Sequence, residues 1–230
     1  MKFASPLESH VLFTVGPVPI TQPVVTTWAI MAVLAVGGWA LTRRLGLRPS
    51  RSQAALELAI DAIRLQIRET METEPRPYLP LIGTLFIFLL VANWSSLIPG
   101  VEPPTSTLET DAALALIVLC ATVWFGMRAL GPGGYLKSFA HPSWLLLPLN
   151  LVELVTRNFS LMVRLFGNVM SGVFMIGVVL SLAGLFVPIP LMALEMLTGA
   201  VQAYIFSTLA MVFIGSAINE PSQPQQETTP

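Results

Sequence analysis

Charged residues are scarce in this chain of 230 residues. Asp, Glu, Lys and Arg make up 11% of it, against about a quarter in soluble globular domains. Hydrophobic residues make up 54%, and the 12 basic and 13 acidic residues nearly cancel. The low charge argues against a soluble domain, a disordered regulator or a nucleic-acid binder, which would carry an excess of positive charge. The composition predicts a polytopic membrane protein.

Cysteine and histidine are nearly absent. Cys120 is the single cysteine, so no disulfide forms within the chain and no cysteine cluster holds a metal. His10 and His141 are the only histidines, and they lie far apart in the sequence. No clean signal-peptide pattern is present. We expect no metal, no cofactor and no catalytic residue in this chain, which also has no nucleotide-binding motif.

Uncharged runs locate the membrane spans. The run from Val24 to Thr42 holds 19 residues, enough for about one bilayer crossing, and Gly131-Pro132-Gly133-Gly134 is a strong loop signal. We predict an all-α fold in a single membrane domain, 1–230. Its segments are an external N-terminal segment (1–23), a first span (24–42), an amphipathic surface helix (50–74), a hairpin of spans (78–99 and 109–130), two long tilted helices (146–187 and 191–219) and a disordered tail (220–230).

The segment between the first two spans differs from the spans in its pattern. Leu56, Ile60, Ile63 and Ile67 recur at helical spacing beside a stripe of charged residues. This pattern predicts an amphipathic helix on the membrane surface, with a solvated connector helix as the alternative.

The positions of Lys and Arg predict the orientation. Seven arginines lie between Arg43 and Arg76, whereas the segment from Val101 to Asp111 has none. Five crossings with the N-terminus outside and the C-terminus in the cytoplasm satisfy this distribution. We expect a multi-pass protein of the bacterial inner membrane.

The last two helices are long and nearly free of charge. No proline interrupts Leu149 to Val187, and one helix of that length would measure roughly 58 Å, against about 30 Å of hydrocarbon. Such a helix must tilt strongly or break at a glycine. Four charges lie between Ser143 and Asn219, and each is costly at membrane depth: Glu153, Arg157, Arg164 and Glu195.

Each of these charges has a structural and a functional interpretation. Glu153 and Arg157 stand four residues apart and either neutralise each other or lie on an ion path. Arg164 has no acid within one turn, and its helix face is polar, so it is either an ion-path residue or an arginine bonded to carbonyls. The other polar residues on that face are Arg157, Ser160, Asn168 and Ser171.

Glu195 shares a helix face with Thr198 and Gln202. A carboxylate with hydrogen-bonding neighbours in an apolar helix is a candidate proton or cation relay. The alternative is a salt bridge with Arg164 in the same chain.

Two motifs in these helices resemble those of a known family. Arg164-Leu165-Phe166-Gly167-Asn168, with Ser160-Leu161 before it and Gly172 after it, resembles the signature of subunit a of F-type ATP synthases. Residues 201–206, Val-Gln-Ala-Tyr-Ile-Phe, are similar to the second hallmark of that family. The resemblance covers nearly the whole chain in its order of segments.

The resemblance implies an ion-translocating stator subunit beside a rotating ring of c subunits. Two aqueous half-channels would couple the flow of protons or sodium to ATP synthesis or hydrolysis. Arg164 would be the fixed positive charge between them, since a guanidinium is effectively never deprotonated. Asn168 would line the same interface, and Glu195 and Gln202 would line the outer side, with Glu195 as relay. The implied partners are the c ring, peripheral-stalk b subunits, other ATP synthase subunits and the lipid bilayer, with no nucleic acid.

The sequence departs from the family pattern at several positions. Val173 stands where many members carry a carboxylate or histidine, Asn150 stands where an acid is common, and the polar residues of 104–111 are displaced. Glu195 is therefore expected to act where two groups often share the task. Further candidates for lining the channel are Ser160, Ser171, Thr198, Glu153, Arg157 and Asn150.

Two other functional classes remain as alternatives. A stand-alone secondary ion transporter would usually show an internal repeat or matching broken helices, and the sequence shows neither. An intramembrane enzyme would depend on His141 and Ser143, but sequence neighbours rarely reach the geometry of a nucleophile and its base.

Overall fold

The computed structural model describes residues 11–15, 18–43, 51–98, 101–140, 147–184 and 187–219. Two short 3-10 helices, Ser95–Leu97 and Pro104–Ser106, precede the fourth α-helix. The elements in chain order are β1 (Val11–Val15), β2 (Val18–Thr21), α1 (Gln22–Thr42), α2 (Arg51–Met71), α3 (Leu79–Trp94), α4 (Leu108–Ala140), α5 (Leu147–Ala183) and α6 (Pro188–Ile218). The predicted tail, 220–230, and His141 lie outside the described residues.

Five helices, α1 and α3 to α6, are long and apolar enough to cross a membrane. This confirms the predicted all-α fold with five potential crossings. The observed α6 begins at Pro188 instead of residue 191, because proline is tolerated in the first turn of a helix, where its missing N–H has no intrahelical partner.

The N-terminal segment contains a β-hairpin that the sequence did not predict. Strands β1 and β2 pair antiparallel, with Val11 opposite Thr21 and Val15 opposite Val18. The hairpin leads directly into α1, which begins at Gln22.

Helix α4 is interrupted at Gly131, close to the predicted end of the span at residue 130. Gly131 has φ 74° and ψ 160°, and Pro132 follows it. Positive φ is readily accessible only to glycine, so the chain changes direction here. Beyond the break, the Tyr135 ring packs against Gly126, where any side chain at 126 would overlap the ring. The glycine-rich segment is therefore a kink followed by further helix, not the simple loop that was expected.

Helix α6 forms the centre of the bundle. Half of its span is buried, against 11% of the spans of α1 and α5. Its Phe206 and Ile214 are fully buried in the core, where they join Leu89 of α3, Val118 of α4 and Leu161 of α5. Because lipid is as apolar as these side chains, close packing and not hydrophobicity holds such helices together.

Helix α2 has the amphipathic character that the sequence predicts. Ile67 and Met71 are buried in the core cluster, and Met71 packs against Gly215 of α6. Arg64 is exposed and pairs with Asp61 at 3.1 Å. The apolar stripe thus attaches α2 to the bundle while the charged stripe stays at the surface.

Helix α5 lies at the edge of the bundle. It has 37 residues, or roughly 55 Å, so it must tilt or bend to fit in about 30 Å of hydrocarbon. Leu161 and Leu165 are buried against the core, whereas Val155, Phe159 and Val163 are exposed. One face of α5 thus has no partner within the described residues of this chain.

Candidate functional site

Two cavities lie along the contact between α5 and α6, which run antiparallel. The first, named here the Arg164 cavity, has a volume of about 590 Å³. Its lining includes Glu153, Arg157, Ser160 and Arg164 of α5 and Leu209 and Phe213 of α6. The second, the Glu195 cavity, has a volume of about 260 Å³. Its lining includes Asn168, Ser171 and Gly172 of α5 and Leu191, Glu195 and Thr198 of α6.

Arg164 is an exposed cation at the end of its cavity. Its guanidinium makes no ion pair or hydrogen bond with any residue that the structure describes. The nearest residue of the other cavity along α5 is Asn168, one turn further on. Arg164 therefore lies where the linings of the two cavities meet along α5.

Arg157, in contrast, is held on two sides. It forms an ion pair with Glu153 one turn earlier on α5. Its guanidinium carbon also lies 5.6 Å from the centre of the Phe213 ring of α6, within the range of a cation–π interaction. The predicted neutralising pair is therefore present, and it lies inside the Arg164 cavity.

The carboxyl group of Glu195 packs against Gly172. A β-carbon at position 172 would lie 2.5 Å from Cδ of Glu195 and 3.1 Å from Cγ, so only glycine leaves room for this side chain. Both carboxyl oxygens are buried.

Glu195 and Arg164 form no ion pair between these described side chains, and the alternative in which they pair is wrong. The physical reason is their separation along α5. Gly172, against which the carboxyl lies, is eight residues and thus roughly 12 Å beyond Arg164.

Polar contacts near Glu195 that were not expected from the sequence come from the end of α3 and from the 3-10 helix that follows it. The Ser96 hydroxyl lies beside the carboxyl and donates to the backbone oxygen of Asn93 at 2.7 Å. Asn93 donates to the backbone oxygen of Gly199 at 2.9 Å and accepts from Thr105 at 3.0 Å. The available signal was an Asn within an apolar run, since polar groups in membrane helices usually bond to another helix.

Trp94 bonds to the same stretch of α6. Its indole N–H donates to the backbone oxygen of Met196 at 3.1 Å. Together with the bond from Asn93, this contact ties the end of α3 to the turn of α6 that carries Glu195.

Three polar residues line neither of these two cavities. Gln202 is buried and lies seven residues beyond Glu195, and neither Gln202 nor Asn150 is among the residues that line the Arg164 cavity or the Glu195 cavity. Asp111, which the sequence analysis did not include among the site residues, is fully buried, and its carboxyl oxygens bond to no described residue. In the described part of the chain, no group of three or more His, Cys, Asp and Glu residues could hold a metal ion.

Comparison with known proteins identifies the family. Residues 24–215 match the ATP synthase A chain family. The chain is 59% identical over 215 residues to "ATP synthase subunit a 2" of a Bradyrhizobium species, an alignment that covers 94% of this chain and 96% of the relative. It is 47% identical over 204 residues to "ATP synthase subunit a" of Albidiferax ferrireducens, covering 88% of each chain. It is 42% identical over 224 residues to "ATP synthase subunit a 2" of Pelobacter propionicus, covering 96% and 98%. The chain belongs to the ATP synthase A chain family.

Proposed function

We propose that this chain is the ion-translocating stator subunit of an F-type ATP synthase in a bacterial inner membrane. It provides the two half-channels through which protons or sodium ions reach and leave a rotating c ring. The observation that carries the proposal is the position of Arg164, a cation without an ion pair among the described residues, where the linings of two separate cavities meet.

The two cavities correspond to the half-channels of the proposal. The Arg164 cavity lies toward the start of α5 and the end of α6, whereas the Glu195 cavity lies toward the end of α5 and the start of α6. Because the helices are antiparallel, the cavities approach opposite faces of the membrane. With the predicted orientation, the Arg164 cavity is the cytoplasmic one and the Glu195 cavity the outer one.

Arg164 separates the two paths by its charge. A guanidinium stays protonated at any physiological pH, so it favours the ion-free, charged form of a ring carboxylate that comes close to it. A cation on the ring is therefore released before the ring site passes Arg164. This prevents ions from crossing directly between the cavities without rotation.

Glu195 is the proposed relay of the outer cavity. Its buried carboxyl group lies between Gly172 and the Ser96 hydroxyl. It forms no ion pair with a described residue that would have to be broken before it takes up an ion. Asn168, Ser171 and Thr198 provide the polar lining of this cavity. Gln202, which lines neither cavity, is proposed to contribute only when the ring is present.

The exposed face of α5 supports a position beside another apolar partner. Val155, Phe159 and Val163 lie on it, and the exposed Arg164 lies about 100° round the helix from Val163. An apolar face bordered by an exposed cation fits a ring that carries membrane-embedded carboxylates. The proposed partners are the c ring, the peripheral-stalk b subunits and the other subunits of the complex. The catalytic nucleotide sites belong to those partners.

The decisive experiment replaces Arg164 by alanine in the intact complex. We expect ATP synthesis driven by an ion gradient to fall to background, while the complex still assembles and its c subunits copurify with this chain. Synthesis is measured in membrane vesicles, and assembly by the amount of this chain in the purified complex.

Arg68→Ala is the matched control, because Arg68 is an exposed arginine of α2 away from both cavities. It should leave synthesis unchanged. Coupled synthesis at the normal rate in the Arg164→Ala complex would refute the proposed function, and so would purification of this chain without any c subunit.

A further inference from the structure

The Arg164 cavity contains two arginines but one acid among the residues that line it. Arg157 and Arg164 are seven residues apart on α5, so their backbones are separated by roughly 10.5 Å along the helix. Glu153 pairs with Arg157, whereas Arg164 has no acidic partner in the described part of the chain. The cavity thus carries one uncompensated positive charge, and that charge is on Arg164.

Stability of the fold does not account for the Glu153–Arg157 pair. Their side chains are 51% and 42% exposed, so the pair lies on the surface of the cavity and does not join residues of the packed core. Yet the pair lies in an apolar helix, where two further charges are costly to insert. A role in the electrostatics of the cavity explains both facts.

Phe213 fixes the side of the cavity on which Arg157 lies. The ring belongs to the buried core, with an exposure of 8%, and it faces the guanidinium of Arg157 across the helix contact. An aromatic face attracts a cation through its quadrupole. Arg157 is therefore held between Glu153 on its own helix and Phe213 on α6, away from Arg164.

We propose that Glu153 and Phe213 are positioning residues that neutralise and immobilise Arg157, so that Arg164 is the one cation in this cavity that meets the ring carboxylate. The inference rests on the proposed function. Without Glu153, the cavity would carry two uncompensated cations. Both would repel an ion that passes through the cavity, and Arg157 would compete with Arg164 for the carboxylate of the ring.

Single and double substitutions of Glu153 and Arg157 in the intact complex test this inference. Glu153→Gln should slow ATP-driven ion pumping into inverted membrane vesicles by about tenfold, the factor to which 1.4 kcal/mol of added barrier corresponds. The double variant Glu153→Gln with Arg157→Gln removes both charges and should restore pumping to within about threefold of the unaltered complex. Rates are normalised to the assembled complex, and Glu69→Gln, an exposed acid of α2, is the control.

The rescue separates an electrostatic role from a structural one. If the pair merely braced the helix, the double variant would be no faster than Glu153→Gln, and that result overturns the inference. Unchanged pumping in Glu153→Gln overturns it as well. Phe213→Leu removes the aromatic ring that faces Arg157. It should slow pumping about threefold while Arg157 is present and have no effect in the double variant. An equal loss of pumping in both backgrounds overturns the role of Phe213.

The Arg164→Ala complex distinguishes this inference from the proposed function. If Arg164→Ala abolishes coupling but neither Glu153→Gln nor the double variant changes the rate of ion pumping, only the positioning role of Glu153 and Phe213 fails. If Arg164→Ala keeps normal coupling, the proposed function itself fails.

Discussion

Replacement of Gly172 by alanine perturbs the Glu195 cavity directly. The added β-carbon would lie 2.5 Å from Cδ and 3.1 Å from Cγ of Glu195, whereas non-bonded carbons pack best at about 3.5–4.0 Å. The carboxyl group must therefore move by about 1 Å, or α5 and α6 must separate. Inserting a methyl group into a packed contact typically costs about 1–3 kcal/mol.

The functional loss should exceed what this cost to stability suggests. A misplacement of about 1 Å at a reacting group can lower a rate by about 100-fold, and Glu195 is the proposed relay. We expect Gly172→Ala to reduce ATP-driven ion pumping by at least about tenfold at an unchanged amount of assembled complex. Pumping is measured in inverted membrane vesicles, and assembly by quantifying this chain in the same membranes.

Gly177 offers a matched control on the same helix. Apart from its chain neighbours and the backbone of its own helical turns, a β-carbon at position 177 meets no atom of the described chain within 4 Å, so Gly177→Ala should pump normally. Combining Gly172→Ala with Glu195→Asp, which shortens the acid by one methylene, should recover part of the lost rate. Equal pumping by Gly172→Ala and Gly177→Ala would refute the view that the position of the Glu195 carboxyl matters for translocation.

Two further predictions concern Glu195 and Asn93. Glu195→Gln should slow pumping about 100-fold, within the range in which a positioned proton-transfer group contributes, and an unchanged rate measured from pH 6 to 9 removes Glu195 from the ion path. Asn93→Ala should lower the free energy of unfolding by about 1–3 kcal/mol, because it leaves the buried hydroxyl of Thr105 without its acceptor and removes the bond to Gly199. Thermal denaturation of the detergent-purified complex measures this loss. Ser181→Ala, which removes an exposed hydroxyl bonded within its own helix, should leave the denaturation temperature unchanged, and an equal shift in both variants would contradict the role of Asn93 as a link between helices.

Several features followed from the order of residues alone, because they depend on local physical chemistry. Membrane spans need only length and low charge, so five crossing helices were predictable. The Glu153–Arg157 pair was predictable as one of two alternatives, because residues four apart on a helix are neighbours whatever surrounds them. The polar face that carries Arg164 followed from the same periodicity.

The elements that the sequence missed depend on contacts between distant segments. No local pattern indicated that β1 and β2 would pair, or that helix would resume after the kink at Gly131 and bring Tyr135 back onto Gly126. The bond from Asn93 to Gly199 spans 106 residues. Such contacts depend on how the helices pack, and periodicity within one helix does not contain that information.

The sequence by itself singled out the residues that are proposed to carry the chemistry of this protein, and the tertiary structure decided which of them lie together. Scarce charge in apolar helices, with the resemblance around Arg164, was enough to single out Arg164 and Glu195. Only the packing of α5 against α6 separated them into two cavities, joined Arg157 to Phe213 and set Glu195 against Gly172. The physical reason is that helical spacing fixes neighbours along one helix, whereas the relative register of two helices is set by close packing of side chains across their whole contact.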